Sequence, residues 1–222
     1  MNQTFLFDDL HLKITEKSPY IGGIWESETN LTLQEEKWFR QIYTDLKNFE
    51  SPVVIDVGAS TGCLSLFNAI RKFPIYSFEP NLTAFAELVQ NVYHNGCNTS
   101  CYNIGLGEKY EESYLSVHEE LWGYGYNKIS KSETNEKIKI YPLDDIIPTN
   151  SKVTHVKIDV EGYELFVLRG MKRILYQKPI IYMEMIESNF EQFEYSSKEI
   201  VDFMVDLGYT YFPIDEHNYK FI

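Results

Sequence analysis

Cysteine is scarce in this 222-residue chain, with only Cys63, Cys97 and Cys101 present. A set that is both odd and sparse excludes a disulfide framework and reads as free thiols in a reducing compartment. Cys97 and Cys101 have no close Cys or His neighbours to complete a four-ligand zinc site. Long apolar runs are missing too. The longest, Val53 to Val57 and Pro179 to Met183, fall far short of the roughly 20 residues a membrane helix requires, so no span is expected. The stretch from Met1 to Leu12 carries acids and lacks a basic region followed by an apolar one, which argues against a secretory leader; the expected location is cytoplasmic. Positive charge is short as well, 20 Lys and Arg against 33 Asp and Glu, for a net charge of −13. Such a field repels phosphate polymers and excludes nucleic acid as an expected partner, whereas a neutral sugar or small metabolite is tolerated.

What is present is enough apolar material, 44% of the chain, to bury a core. Thr32 is placed to cap a helix, with Glu35 three positions on. Trp38, Phe39, Ile42, Tyr43 and Leu46 then recur at helical spacing, which predicts an amphipathic helix over 33–48. Residues 1–50 are read as an N-terminal helical segment or lid, and 51–222 as the main domain. From Ser51 onward short apolar runs alternate with longer helical stretches, the pattern of an α/β fold with a mostly parallel sheet and helices on both faces. Strands are expected at 53–58, 75–79, about 100–105, 153–159 and 179–184, and helices at 63–72, 82–95, 163–175 and 197–207. Residues 108–150 read as a long irregular insertion. After Gly208, two apolar runs flanking Asp215 to Asn218 read as a closing antiparallel hairpin.

The first of these strands runs Val53-Val54-Ile55-Asp56-Val57-Gly58 and passes through Ala59-Ser60-Thr61-Gly62 into a helix. Gly58 and Gly62 permit a tight turn and close approach of backbone to ligand, at the strand edge where open α/β sheets bind nucleotides. By itself this is a weak signal, because glycine turns are common. Glu79 follows Gly58 at the spacing from which an acid reaches both hydroxyls of a ribose, and the pair of signals is stronger than either. A dinucleotide loop would want glycines where Ser60 and Cys63 stand, so a nicotinamide oxidoreductase is disfavoured. Asp56 instead suits a cofactor with an amino-acid tail, whose ammonium and sulfonium favour a nearby carboxylate.

These stretches, with Phe78-Glu79-Pro80, Leu143-Asp144-Asp145, Lys157-Ile158-Asp159-Val160-Glu161-Gly162-Tyr163-Glu164, Leu168-Arg169-Gly170 and Pro179-Ile180-Ile181-Tyr182-Met183-Glu184, resemble the FkbM family of methyltransferases over roughly residues 53 to 185. The Lys-Ile-Asp-Val-Glu-Gly block is the most distinctive. The sequence departs from the family at Ser60, where Asn is usual. The resemblance implies a Rossmann-like class I methyltransferase sheet, for which the closing C-terminal hairpin is also expected. It further implies S-adenosyl-L-methionine as donor, held by Asp56, Gly58, Ser60 and Gly62 near the methionyl part and by Glu79 at the ribose. Ile104 is a weaker candidate for the adenine slot. The associated chemistry is O-methylation, with a sugar or glycan hydroxyl the favoured acceptor and a non-sugar metabolite the alternative. A binding module without catalysis is the remaining rival, against which the intact acids argue.

In the distinctive block Lys157, Asp159 and Glu161 alternate and lean to one side of an extended segment. Asp159, at the strand's carboxyl end, is the expected base, with Glu184 beside it at the end of the next strand. Two adjacent carboxylates raise one another's pKa or share a cation, and oxygen ligands suit Mg²⁺ or Mn²⁺, so Asp159 and Glu184 are also the candidate metal ligands. Lys157 and Glu161 complete the catalytic candidates. The bland alternatives are a buried ion-pair partner for Lys157 and favourable first-turn acids for Glu161 and Glu164. His155 reads as a satisfied core histidine. Trp25, Trp122 and Tyr124 lie in loops outside the shared core, where aromatic faces either stack on sugar rings or pack loops down.

Overall fold

The computed structural model describes residues 2–7, 10–15, 33–66, 68–116, 128–130, 132–134 and 136–222. Two short strands, β1 (Asn2–Phe7) and β2 (Leu10–Thr15), pair antiparallel at the start, where the sequence had been read only as polar. The predicted amphipathic helix follows as α1 (Leu33–Lys47). Thr32, its expected cap, lies outside the described residues.

The main sheet is built from β3 (Val54–Val57), β4 (Ile75–Phe78), β5 (Thr99–Tyr102), β10 (His155–Ile158), β11 (Ile180–Glu184), β12 (Tyr211–Pro213) and β13 (Asn218–Phe221), in the order β12-β13-β11-β10-β3-β4-β5. The five adjacent strands β11-β10-β3-β4-β5 are parallel, with β5 at the edge, and β13 inserts antiparallel between β11 and β12. The expected strands and the closing hairpin are thus in place, most of them one to three residues shorter than read. Helices α2 (Cys63–Leu66), α3 (Asn68–Arg71), α4 (Leu82–His94), α6 (Glu164–Arg169), α7 (Lys172–Leu175), α8 (Glu187–Phe190) and α9 (Ser197–Asp206) flank the sheet. The single helix expected over 163–175 is two, because Gly170 stops the first. A Cβ there would lie 1.9 Å from the Gly107 carbonyl oxygen, so only glycine lets the two segments touch.

The described part of residues 108–150 is not irregular. Strands β6 (Gly105–Leu106), β7 (Glu111–Ser116), β8 (Lys128–Ser130) and β9 (Glu136–Tyr141) form a second sheet of order β6-β9-β7-β8, and α5 (Leu143–Ile146) leads back to the core. Alternation of buried Ile138 and Ile140 with exposed Lys137 and Lys139 was the missed signal.

Strand alternation divides the main sheet's two faces. Ile55, Val57, Val156, Ile158, Ile181 and Met183 point into the larger core, beneath α6, α7 and α9. The intervening residues, among them Val54 and Tyr182, meet the apolar stripe of α1, in which Trp38, Ile42, Tyr43 and Leu46 are all buried. Each such side chain contributes about 1.5–3 kcal/mol by leaving water, so α1 is an integral roof over this face. Under that roof the strand register aligns a polar row, Ser77, Asp56, Lys157 and Tyr182, on adjacent strands.

Candidate active site

The cavity opens at the carboxyl ends of β3, β4, β10 and β11, and its walls include Asp56, Gly58, Ser60, Glu79, Ile104, Lys157, Asp159, Glu161 and Glu184. The β3–α2 turn forms its floor. Gly58 has φ +73°, and a Cβ on it would sit 1.8 Å from the Asp159 carbonyl oxygen; Gly62 has φ +97°. Both glycines are therefore required by the backbone, and Gly58 also lets the first and fourth parallel strands close on one another. Ser60 is left-handed as well, φ +48°. Of the ordinary side chains Asn tolerates that region best, which accounts for the family's usual residue there.

Glu79 ties this turn to the next strand. Its Oε2 accepts from the Ser60 N–H and its Oε1 from the Asn81 N–H, both at 2.8 Å. Burial pushes its carboxyl up to about 7, against the pull of those two N–H groups and of Lys157. Asn81 was not foreseen. It caps α4 by accepting from the Ala84 N–H and so fixes the Glu79-Pro80 corner.

Lys157 is the electrostatic centre. Its Nζ donates to the Gly58 carbonyl at 2.6 Å and lies 3.3 Å from Asp159 Oδ2 and 3.5 Å from Asp56 Oδ1. Burial alone would pull its pKa down, yet Asp159, Asp56 and Glu184 around it hold it above the ordinary lysine value. The expected ion-pair role is met, and it spans the glycine turn after β3 and the acid at the end of β10. Trp38 of α1 covers it, the ammonium 5.8 Å from the ring centre. Phe39 reaches the cavity wall itself; both residues read in sequence only as a helix face.

Beyond Lys157 stand three carboxylates. Asp159, Glu161 and Glu184 offer oxygens that all lie within 4.8 Å of one another. Glu161 was weighed in sequence against a first-turn acid, but the helix begins at Glu164. Glu161 sits instead in a turn at φ +55°, a costly conformation held in place by Asn189, whose amide donates to Glu161 Oε2 at 2.8 Å. Lys128 of β8 in turn donates to Asn189 Oδ1 at 2.6 Å. Burial, then the neighbouring acids, push Glu161 up to about 8 and Glu184 up to about 10. Glu164 serves structure: buried, it accepts from the Val160 and Gly162 N–H groups, each at 3.2 Å.

His155 packs between Phe49 and Tyr182, and its Nδ1 lies 2.8 Å from the Thr154 hydroxyl. Its Nε2 has no partner among the described residues, so it is a core histidine only half satisfied, and burial drops its pKa to about 4. Trp25, Trp122 and Tyr124 lie outside the described residues.

The site's own chemistry fits the expected cofactor. Among the described residues, buried Ser60 Oγ has no hydrogen-bond partner, and the Asp56 carboxylate has only its 3.5 Å ion pair with Lys157; these oxygens face or flank the cavity. A hydroxyl- and ammonium-bearing ligand is what such atoms require.

A parallel sheet closed by an antiparallel strand inserted next to its edge, with an acid-ended second strand and a glycine turn after the first, is the fold of the class I S-adenosylmethionine-dependent methyltransferases. Solved structures share the fold. The precorrin-6y C5,15-methyltransferase of Geobacter metallireducens superposes with a TM-score of 0.51 at 13% identity, covering 88% of each chain. The precorrin 8w decarboxylase of Methanobacterium thermoautotrophicum gives 0.51 at 16% identity, over 86% of this chain and 89% of that one. The FkbM methyltransferase domain matches residues 56–211, and the chain belongs to that family. Among curated proteins, the hexuronic acid methyltransferase AglP of Haloferax volcanii is 28% identical over 142 residues, 61% of this chain; the chain spans 56% of that relative's length. No helix among the described residues is long and apolar enough to cross a membrane.

Proposed function

We propose that this protein methylates a hydroxyl of a sugar or glycan, with Asp159 and Glu184 assisting the nucleophile. The observation that carries the reading is the cluster of Asp159, Glu161 and Glu184 beside the cofactor turn. An alcohol is a poor nucleophile until it loses its proton, so a hydroxyl acceptor calls for carboxylates or a cation where an amine acceptor would not. The sugar assignment draws support from family membership and from the relative that acts on a hexuronic acid.

When bound, S-adenosylmethionine supplies a sulfonium methyl group open to in-line displacement. Asp56 and Ser60 meet its amino-acid part and Glu79 its ribose, with Ile104 beside the base. The protein contributes mainly by position, holding the acceptor oxygen about 3–3.5 Å from the methyl carbon. Asp159 accepts the hydroxyl's proton, and Lys157 fixes Asp159 from the side of the cofactor turn. Glu184 and Glu161, whose pKa values are lifted into the neutral-to-alkaline range, hold protons and hydrogen-bond the acceptor. Mg²⁺ or Mn²⁺ is compatible with this all-oxygen donor set, in which it would take the place of those protons and lower the pKa of the acceptor hydroxyl.

The test is transfer of labelled methyl across a panel of sugars and glycans, with and without divalent metal. Wild-type turnover in Asp159→Asn would remove the assignment of the base. Loss of activity on chelation, restored by Mg²⁺ or Mn²⁺, selects the metal form. Transfer to amines with none to hydroxyls would overturn the reading.

A further inference from the structure

The corner Glu79-Pro80-Asn81, which presents the acid expected at the ribose, is braced from outside the main sheet. Glu136, the first residue of β9, accepts from the Leu82 N–H at 2.8 Å with one carboxylate oxygen and from the Asn81 side-chain amide at 2.9 Å with the other. It thereby occupies the positive end of the 13-residue helix α4. With its amide nitrogen held by Glu136, Asn81 turns its amide oxygen to the Ala84 N–H, and its own backbone N–H donates to Glu79 Oε1, both at 2.8 Å. Just past β5, Asn103 donates to the Glu79 and Pro80 carbonyls, both at 2.9 Å.

Glu136 is itself fixed. The Thr134 hydroxyl accepts from the Glu136 N–H at 3.3 Å and donates to the Leu115 carbonyl of β7 at 2.7 Å. Leu115, with Ile129 of β8, lines the cavity. The second sheet therefore walls the cavity with two side chains and reaches the ribose corner with a third.

Direction matters at Glu79. Each of its oxygens accepts one backbone N–H, which leaves each a lone pair for a hydroxyl. The two N–H groups belong to Ser60 and Asn81, so the plane of the carboxylate follows where those residues stand, and a hydrogen bond weakens steeply as its angle degrades. Ser60 is set by the glycine turn of the main sheet. Asn81 is set from the second sheet, and without Glu136 both its side-chain amide and the Leu82 N–H lose their acceptor.

We propose that Glu136 is a positioning residue for nucleoside recognition, acting through Asn81 to aim Glu79 at the ribose hydroxyls, so that the second sheet sets cofactor selectivity as well as walling the cavity. The inference rests on the reading that places Glu79 at the ribose, and it adds what orients that acid.

The experiment is calorimetry at pH 8 with S-adenosylhomocysteine and with its 2′,3′-dideoxy analogue, which lacks both ribose hydroxyls. Wild type is expected to prefer the parent nucleoside by about tenfold or more, and Glu79→Ala, the reference for a lost contact, to show no preference. Glu136→Ala is expected to lower affinity for the parent about five- to tenfold while moving that for the analogue less than about twofold. Glu136→Gln keeps one acceptor oxygen and is expected to fall between. Equal losses for the two ligands in Glu136→Ala, the mark of a merely structural role, or a preference that survives it, would overturn the positioning role and leave Glu79 at the ribose. Wild type that binds the two ligands equally would overturn the ribose reading of Glu79 and this inference with it. Hydrogen exchange on the wild type needs no variant to fold: the parent is expected to slow exchange over 80–86 and 136–141 more than the analogue does, and equal slowing over 136–141 would overturn the role.

Discussion

Glu184→Gln is expected to make this protein more stable at alkaline pH while depressing methyl transfer. The oxygens of Asp159, Glu161 and Glu184 lie within 4.8 Å of one another, where two like charges repel by about 3.5 kcal/mol at an effective dielectric constant of about 20. Asp159, Glu161 and Glu164 face Glu184 with the same sign, and Lys157 is the cation that opposes them. Lys128 acts on Glu161. Besides the cost of burying the charge, subtracting a comparable attraction to Lys157 from two repulsions leaves about 3.5 kcal/mol of unfavourable charge once Glu184 ionises. The sign follows from the direction of the shift. The folded carboxyl is raised from 4.5 to about 10, so its contribution is fully present below pH 4.5 and is lost as pH climbs toward 10. The amide does not titrate and resembles the protonated acid. Wild type and variant should therefore melt together at pH 4.5 and diverge at pH 9, the variant higher by about 7–14 °C at about 2–4 °C per kcal/mol for a chain of this length. Calorimetry in the presence of a chelator, at pH 4.5, 7 and 9, reads this directly. A difference in melting temperature independent of pH, or a variant less stable at pH 9, would refute the electrostatic account of the cluster.

Gly58→Ala should cost several kcal/mol of stability or prevent folding, because the added methyl meets the Asp159 carbonyl and the backbone is left-handed; denaturant titration measures it. Ser60→Asn should gain a few tenths of a kcal/mol to about 1 and keep S-adenosylhomocysteine affinity, since Asn tolerates the positive φ at this position; a loss of stability would contradict the backbone argument. Glu79→Gln leaves one of two backbone N–H groups without its acceptor, and should weaken S-adenosylhomocysteine binding by about tenfold or more in calorimetry. In the wild type the same affinity should tighten as pH rises from 6 to 8, because ionised Glu79 is the better acceptor and its pKa is held near 7.

The individual elements of this chain were legible locally. Alternation of apolar strands with helices specified the parallel sheet, and the glycine turn with an acid at the end of the second strand marked the cofactor site, because both depend on neighbours a few positions apart. The Lys-Ile-Asp-Val-Glu-Gly block pointed to Lys157 and Asp159 for the same reason. Three things were not local. The second sheet went unread because, although Lys137 to Ile140 alternate, its strands pair across an intervening segment, so their partners cannot be inferred from spacing. Glu161 looked like the opening of a helix, whereas it is a left-handed residue held by Asn189 of the distant short helix Glu187–Phe190, with its carboxylate beside Glu184. Trp38 and Phe39 carried nothing beyond helical periodicity until the strand register set Lys157 beneath one and the cavity beside the other. Sequence alone determined which residue types stand at the strand ends. Tertiary structure decided which of them share a charge field, because like-charge repulsion and burial depend on distances in space that the order of residues does not encode.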